Sequence, residues 1–476
     1  MALEATLSIR TRAWWRWLAA IGALQFVAGV AAARYGWPLG LAPLAALALL
    51  LPLLYPRLGL FLLMAAMFSK HPLPGTDGIY VSDVLSVPLM AGAIMNRLAS
   101  TTPGAWRRNP LFAPLAALAV YFGLTVVWAP YTIPALINWA RHLQLIALTL
   151  IILDQVAEED IGRILLLMLA ATIVISLSTI AEFVASGGRE RVFGPAGWFF
   201  NTFLSMAMIH ASVGAIVSAR RSARLWWIAA AGISFLGLIA TQTRSAMLQA
   251  LLGIIVVVVS TWIWSRRRHV PKLRRRIVVL VAVTTAMILI FLFGQIVLFE
   301  TASQRVEQAI EGRSNTIFIR LLLWKMGWAV FTDSPIFGVG LGQASRWSDR
   351  FDFFHLDPAS PRAGGLGVHN DAITYLAETG IIGTFLILWM FWRLVKMGWE
   401  LLGRARDEQQ LRALLILAGP VGAIICHYFY SAYLFYSIGG MVVSFYFGMM
   451  AKMYVQRVHS EPPNLPARVS DALPVA

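Results

Sequence analysis

Stretches of about 20 residues with almost no ionisable side chain recur along this chain, and that is the length at which a helix crosses the hydrocarbon core of a bilayer. Inside that core a helix satisfies every backbone N–H and C=O within one segment, so a chain built of such runs is a polytopic helical membrane protein. Composition agrees: of 476 residues, 59% are hydrophobic and 13% charged. Apolar stretches bounded by charge place spans near 15–33, 38–54, 57–69, 80–96, 110–128, 134–153, 162–184, 199–217, 225–241, 246–264, 277–298, 379–395, 412–430 and 433–451. The expected fold is all-α, with about 12 to 14 transmembrane helices. Pro52 and Pro56 allow the second and third stretches to join as one broken hairpin. The run from Trp14 to Ala33 is followed at once by others and shows no small-residue cleavage site, so it reads as a retained span.

Four regions follow from this pattern: an N-terminal transmembrane bundle over 1–298, an outer loop with helices over 299–378, C-terminal transmembrane helices over 379–455, and a proline-rich tail over 456–476 expected to be disordered. Within the loop, the apolar spacing from Ser314 to Phe331 predicts a helix carrying Arg320 and Lys325, closed by Asp333-Ser334-Pro335. Glycines and prolines from Gly338 to Gly367 predict an irregular cover over a cavity.

Lysine and arginine outnumber aspartate and glutamate by 39 to 23. With no soluble domain to present a basic patch, that excess reads as basic loops facing an anionic leaflet and calls for no nucleic acid. If spans alternate, Arg10 to Arg16, Arg107 and Arg108, Arg220 to Arg224, Arg266 to Arg276 and Arg393 to Arg412 fall on one side, which is then cytoplasmic. The opposite face should be poor in cations, yet Arg189, Arg191, Arg244, Arg305, Arg313, Arg320, Lys325, Arg346, Arg350 and Arg362 map there. Guanidinium groups match phosphate oxygens in bidentate fashion, so this exception points to an anionic partner on the outer face. The lone cysteine, Cys426, excludes an intramolecular disulfide and a thiolate zinc site.

Three residues carry the expected chemistry. Arg244 stands in the polar break Thr241-Gln242-Thr243-Arg244-Ser245 between two apolar runs, at the end of a helical hairpin. Arg320 lies between Ile317-Phe318-Ile319 and Leu321-Leu322-Leu323, where a charge needs an anion. Trp324 and Trp328, one and two turns on, form either an interfacial aromatic belt or a sugar-stacking wall. His369 follows a glycine-rich stretch and opens a helix whose face includes Asn370, Ile373 and Ala377. The positive helix end and nearby arginines should lower its pKa and keep it neutral, the form a general base requires. Glu378, on roughly the opposite face, fits a capping or pairing role near Gly380.

Arg320 to Trp324, then Asp333-Ser334-Pro335-Ile336-Phe337-Gly338-Val339-Gly340-Leu341-Gly342, then His369-Asn370 through Gly383, resemble the shared C-terminal signature of bacterial O-antigen ligases and O-antigen or exopolysaccharide polymerases. Thr243-Arg244-Ser245 and Arg191-Val192-Phe193-Gly194-Pro195 with Asn201 are similar to that family as well. Asp371-Ala372-Ile373 stands where the family more often has tyrosine and leucine. The resemblance implies a GT-C-like integral membrane glycosyltransferase in the bacterial inner membrane, its active site facing the periplasm. It would act on undecaprenyl-pyrophosphate-linked glycan, with lipopolysaccharide core or a growing polysaccharide as acceptor, and without cofactor or metal. Arg244 and Arg320 would hold the pyrophosphate and His369 would deprotonate the acceptor hydroxyl. Arg191, Asn370 and Lys325 complete the expected substrate-binding set.

The chemistry is coherent without the family. A lipid pyrophosphate is already a good leaving group, so two arginines to neutralise departing charge and one histidine to take a proton suffice. The outer loops carry no paired-carboxylate motif, which argues against a metal-dependent transferase, and direct displacement predicts inversion at the anomeric carbon. Ligase and polymerase differ only in acceptor and remain alternatives. A lipid-linked glycan transporter is the more distant reading, because it should show repeated halves and polar residues through the midplane.

Overall fold

The computed structural model describes residues 47, 49–68, 80–100, 108–187, 192, 200–282, 316–346, 367–431 and 437–459. The span expected at 15–33, most of those at 38–54 and 277–298, Arg191, the cover over 347–366 and the tail beyond 459 lie outside these residues. Every element assigned among the described residues is a helix. Eight of them are long and apolar enough to cross a membrane, and two shorter apolar helices accompany them.

The chain divides into two compact units. In the first, residues 49–54 and α1 (Pro56–Ala66) run as one proline-interrupted helix. Tyr55 N–H still bonds to Leu51 O, and Gly59 N–H to Tyr55 O, across the missing N–H of Pro56. α2 (Val81–Ala99) packs on α1, with Gly92 directly on the Leu53 carbonyl. Among the described residues the prolines therefore interrupt a single helix, where a broken hairpin was expected.

The second unit contains α3 (Phe112–Trp128), α4 (Thr132–Gln155), α5 (Glu158–Ala185), α6 (Phe200–Val217), α7 (Arg221–Thr241), α8 (Arg244–Arg267), α9 (Thr316–Asp333), α10 (Asp371–Arg404), α11 (Glu408–Tyr430) and α12 (Ser437–His459). α6 and α12 form its interior, with 89% and 94% of their apolar windows buried against 33–56% for the other six spans. The outer helices keep apolar side chains such as Val120, Leu124 and Val127 of α3 exposed, a surface suited to lipid. The hydroxyls of Thr149, Thr172 and Thr261 return to the carbonyls of Leu145, Met168 and Val257 one turn earlier, so these three donors are met inside the spans.

The two ends of this bundle differ in charge. At one end Trp264 Nε1 and Arg268 donate to Ala405 O, Arg276 donates to Ile216 O, and Arg457 pairs with Glu158 at 2.7 Å. Arg220, Arg221, Arg224 and Arg266 to Arg268 stand at the helix ends of this side, which is the sorting expected of the cation clusters. The opposite end gathers the α3–α4 turn, the α7–α8 turn, the loop after α9 and the start of α10. Trp128 Nε1 donates to Gly338 O, Gln343 exchanges hydrogen bonds with Tyr131, and Val192 N–H bonds to Ala240 O.

α10 is broken at Gly380, whose φ of 63° and ψ of −165° are accessible essentially to glycine alone. In an unbroken helix the N–H groups of Ile381 and Ile382 would bond to the carbonyls of Ala377 and Glu378. Those carbonyls instead receive Val339 N–H at 3.0 Å and Gly340 N–H at 2.9 Å. Ile381 N–H turns to Pro335 O at 2.9 Å and Ile382 N–H to Ile336 O at 3.5 Å. The loop after α9 thus occupies the gap in the helix ladder, and the span expected from about 379 begins at this break. Gly338 and Gly380 meet there so closely that a Cβ on either would overlap backbone of the other segment.

Candidate functional site

α9 supplies the first cation. Its inward residues Leu323, Met326 and Val330 form a small core with Val339, Ala344, Val368 and Ala377, against which Trp324, Phe331 and Ile373 also pack. Gly327 lets the helix approach closely, since a Cβ there would lie 2.7 Å from Ile373 and 2.8 Å from Val368. Arg320, two turns earlier, is exposed, as are Lys325 and Trp328. Trp324 is thus a packing residue and Trp328 the tryptophan open to the surface.

His369 follows Val368 directly and is half-buried, with a left-handed φ of 54°. Histidine tolerates that region better than most residues, but it is still uncommon, and such conformations gather at functional sites. Burial pushes its imidazole below the ordinary value, and the Arg320 guanidinium adds to that. The helix dipole and nearby arginines are the causes expected from the sequence. In the structure burial comes first and Arg320 second, and the result is the same neutral ring.

Asn370 is the N-cap of α10. Its Oδ1 accepts Ile373 N–H at 3.1 Å, while Nδ2 donates to Phe429 O at 3.0 Å. Asp371 N–H bonds to Ser431 O at 2.7 Å, which ties the start of α10 to the end of α11 a second time. Asn370 is 3% exposed, so its amide serves this junction, and any part in substrate binding runs through the residue beside it.

Arg244 reaches the same junction from α8. Gln242, left-handed at φ 49°, ends α7, Thr243 stands at the start of α8 with its hydroxyl turned back to Thr241 O, and Arg244 is the first residue of α8 and exposed. Tyr430 Oη donates to the carbonyl of the next residue, Ser245, at 3.0 Å. The end of α11, residues 429–431, is therefore held by the neighbours of Arg244 on one side and of His369 on the other, and Arg320 acts on His369 from α9. The structure brings Arg244, Arg320 and His369 to one end of one bundle around a single helix terminus. Arg191 lies outside the described residues.

Glu378 has the structural task its position suggested. One carboxylate oxygen accepts Gly342 N–H at 2.7 Å and the other Ala344 N–H at 3.0 Å, so it clamps the glycine-rich loop onto α10. Tyr121 Oη donates to Thr379 O at 2.9 Å from α3. Sequence reasoning missed the buried contact of His142 with Tyr375, at 2.6 Å. Its signal was a histidine inside the apolar run of α4, where an ionisable side chain has a partner by necessity.

Among curated proteins no sequence matches this chain. Residues 228–388, which run from α7 into α10 and include Arg244, Arg320 and His369, match the family model described as O-antigen ligase.

Proposed function

We propose that this protein is a membrane glycosyltransferase of O-antigen ligase type, moving a glycan from undecaprenyl pyrophosphate to an acceptor hydroxyl at the periplasmic face of the bacterial inner membrane. The observation that carries the reading is the junction at residues 429–431, which links the neighbours of Arg244 and His369, with Arg320 electrostatically coupled to His369. The O-antigen ligase match over residues 228–388, which contain Arg244, Arg320 and His369, supports it.

In this mechanism the neutral His369 ring accepts the proton of the acceptor hydroxyl as its oxygen attacks the anomeric carbon. The bond from that carbon to the pyrophosphate oxygen breaks, and the electron pair leaves with the lipid pyrophosphate. Arg244 and Arg320, both exposed at this end, neutralise the charge that develops on the phosphate oxygens. Lys325, five residues beyond Arg320 and so on a different side of α9, adds a further exposed cation. A single displacement inverts the anomeric configuration and needs no nucleotide sugar. The cation-rich end then faces the cytoplasm, as the positive-inside rule requires.

Purified protein incubated with lipid-linked glycan, with and without lipopolysaccharide core, tests activity and acceptor together. Core glycosylation marks a ligase, and elongation of the lipid-linked glycan alone marks a polymerase. Absence of both products, with the protein folded and donor bound, would rule out glycan transfer.

A further inference from the structure

The segment Asp371–Thr379 is set apart from the rest of α10 by the break at Gly380, so a helix of only nine residues carries His369 at its outer end. A segment this short keeps its direction only through its attachments. Its outer end is tied to α11 by Asn370 and Asp371, and its inner end to the loop by Glu378. Between them, Tyr375 reaches across to α4, where its hydroxyl meets His142 Nε2 at 2.6 Å.

For a neutral ring, the form that burial in an apolar span favours, the direction of that bond follows from its neighbours. His142 Nδ1 lies 2.7 Å from the Asn138 carbonyl, which can only accept, so Nδ1 carries the proton. Nε2 then offers a lone pair, and the Tyr375 hydroxyl donates to it. The phenol ring is held separately, stacked between Phe122 at 5.9 Å and Tyr428 at 6.1 Å, with Phe122 edge-on to the His142 ring. Asn138 continues the connection: the loop backbone at Gly342 rests against its side chain, and Gly342 N–H is the group Glu378 holds. The path from α10 through Tyr375, His142, Asn138, Gly342 and Glu378 returns to α10.

We infer that Tyr375 and His142 are positioning residues for His369, holding the short helix at the inclination from which its imidazole meets the acceptor hydroxyl. This rests on the reading of His369 as the base. The pair touches no substrate and acts through the helix it orients.

Tyr375→Phe keeps the ring stack and removes only the hydroxyl. In purified protein its kcat for transfer should fall about tenfold or more, with KM for the lipid-linked donor and the thermal midpoint nearly unchanged, because misplacement by an ångström costs rate more than binding. His142→Gln, whose Oε1 can accept the same proton, should retain most of the rate that His142→Leu loses. Full kcat in Tyr375→Phe overturns the inference. If that variant fails to fold, the His142 pair decides: a higher rate for Gln than for Leu supports it, and equal rates overturn it. His369→Ala separates the two readings. Transfer by His369→Ala removes the base and this inference with it, whereas an inactive His369→Ala beside a fully active Tyr375→Phe removes the positioning role alone.

Discussion

Glu378 holds Gly342 by a carboxylate-to-amide hydrogen bond of 2.7 Å and Ala344 by a second of 3.0 Å, so one side chain on α10 takes the place of a turn of backbone pairing for a loop 34 and 36 residues away. Both oxygens face donors. Glu378→Gln puts an NH2 group against one of those amides, and the loss should be about 1–3 kcal/mol. Thermal unfolding in detergent should show it as a lowered midpoint, together with easier proteolysis of the loop. An unchanged midpoint would mean that the clamp contributes nothing.

Gly380→Ala tests the break. The alanine Cβ would overlap the Ile336 carbonyl, and its φ would be strained at about 1–3 kcal/mol before any clash is counted. The variant should accumulate poorly or lose transfer, whereas Gly403→Ala, where a Cβ meets nothing within 4 Å, should behave as the parent.

The pH profile reports on His369. A base works in its neutral form, and burial and Arg320 both lower this imidazole from its usual value of 6.5. The rate should therefore hold as pH falls through 6.5 and drop only below it. Arg320→Gln removes the second cause, so the acid limb should move upward toward 6.5 while burial keeps it from arriving there. A limb that stays in place would mean that Arg320 does not act on the ring during turnover. Arg320→Lys complements this: it retains the charge and loses the fork, so a severe loss of donor binding marks bidentate phosphate contact.

Asn370 has two duties that separate cleanly. Asn370→Asp retains the acceptor for Ile373 N–H but cannot donate to Phe429 O, and Asn370→Ala loses both, including a cap that contributes about 1 kcal/mol. Transfer rate should fall in both variants and the thermal midpoint more in alanine. Equal midpoints would argue that the cap is dispensable.

The sequence alone located much of this. Long apolar runs predict the spans from 110 to 264 to within a few residues of α3 to α8, because lipid enforces one secondary structure over one length. Arg244, Arg320 and His369 stood out as ionisable groups at the edges of such runs. What stayed hidden depends on pairing between distant segments. Nothing local to Gly380 tells that Pro335 to Gly340 will fill its missing bonds, and nothing near His142 names Tyr375, 233 residues away, as its partner. The order of causes on His369 was hidden for the same reason, since α9, which carries Arg320, packs against the adjoining Val368 and Ile373 through Gly327.

The exchange of hydrogen bonds at Gly380 makes α10 a splice and not a rod. Because Pro335 and Ile336 supply the acceptors that Ile381 and Ile382 lack, the joint exposes no amide to hydrocarbon and needs no water to seal it. The shaft below can therefore follow the lipid while the nine residues above take a heading of their own.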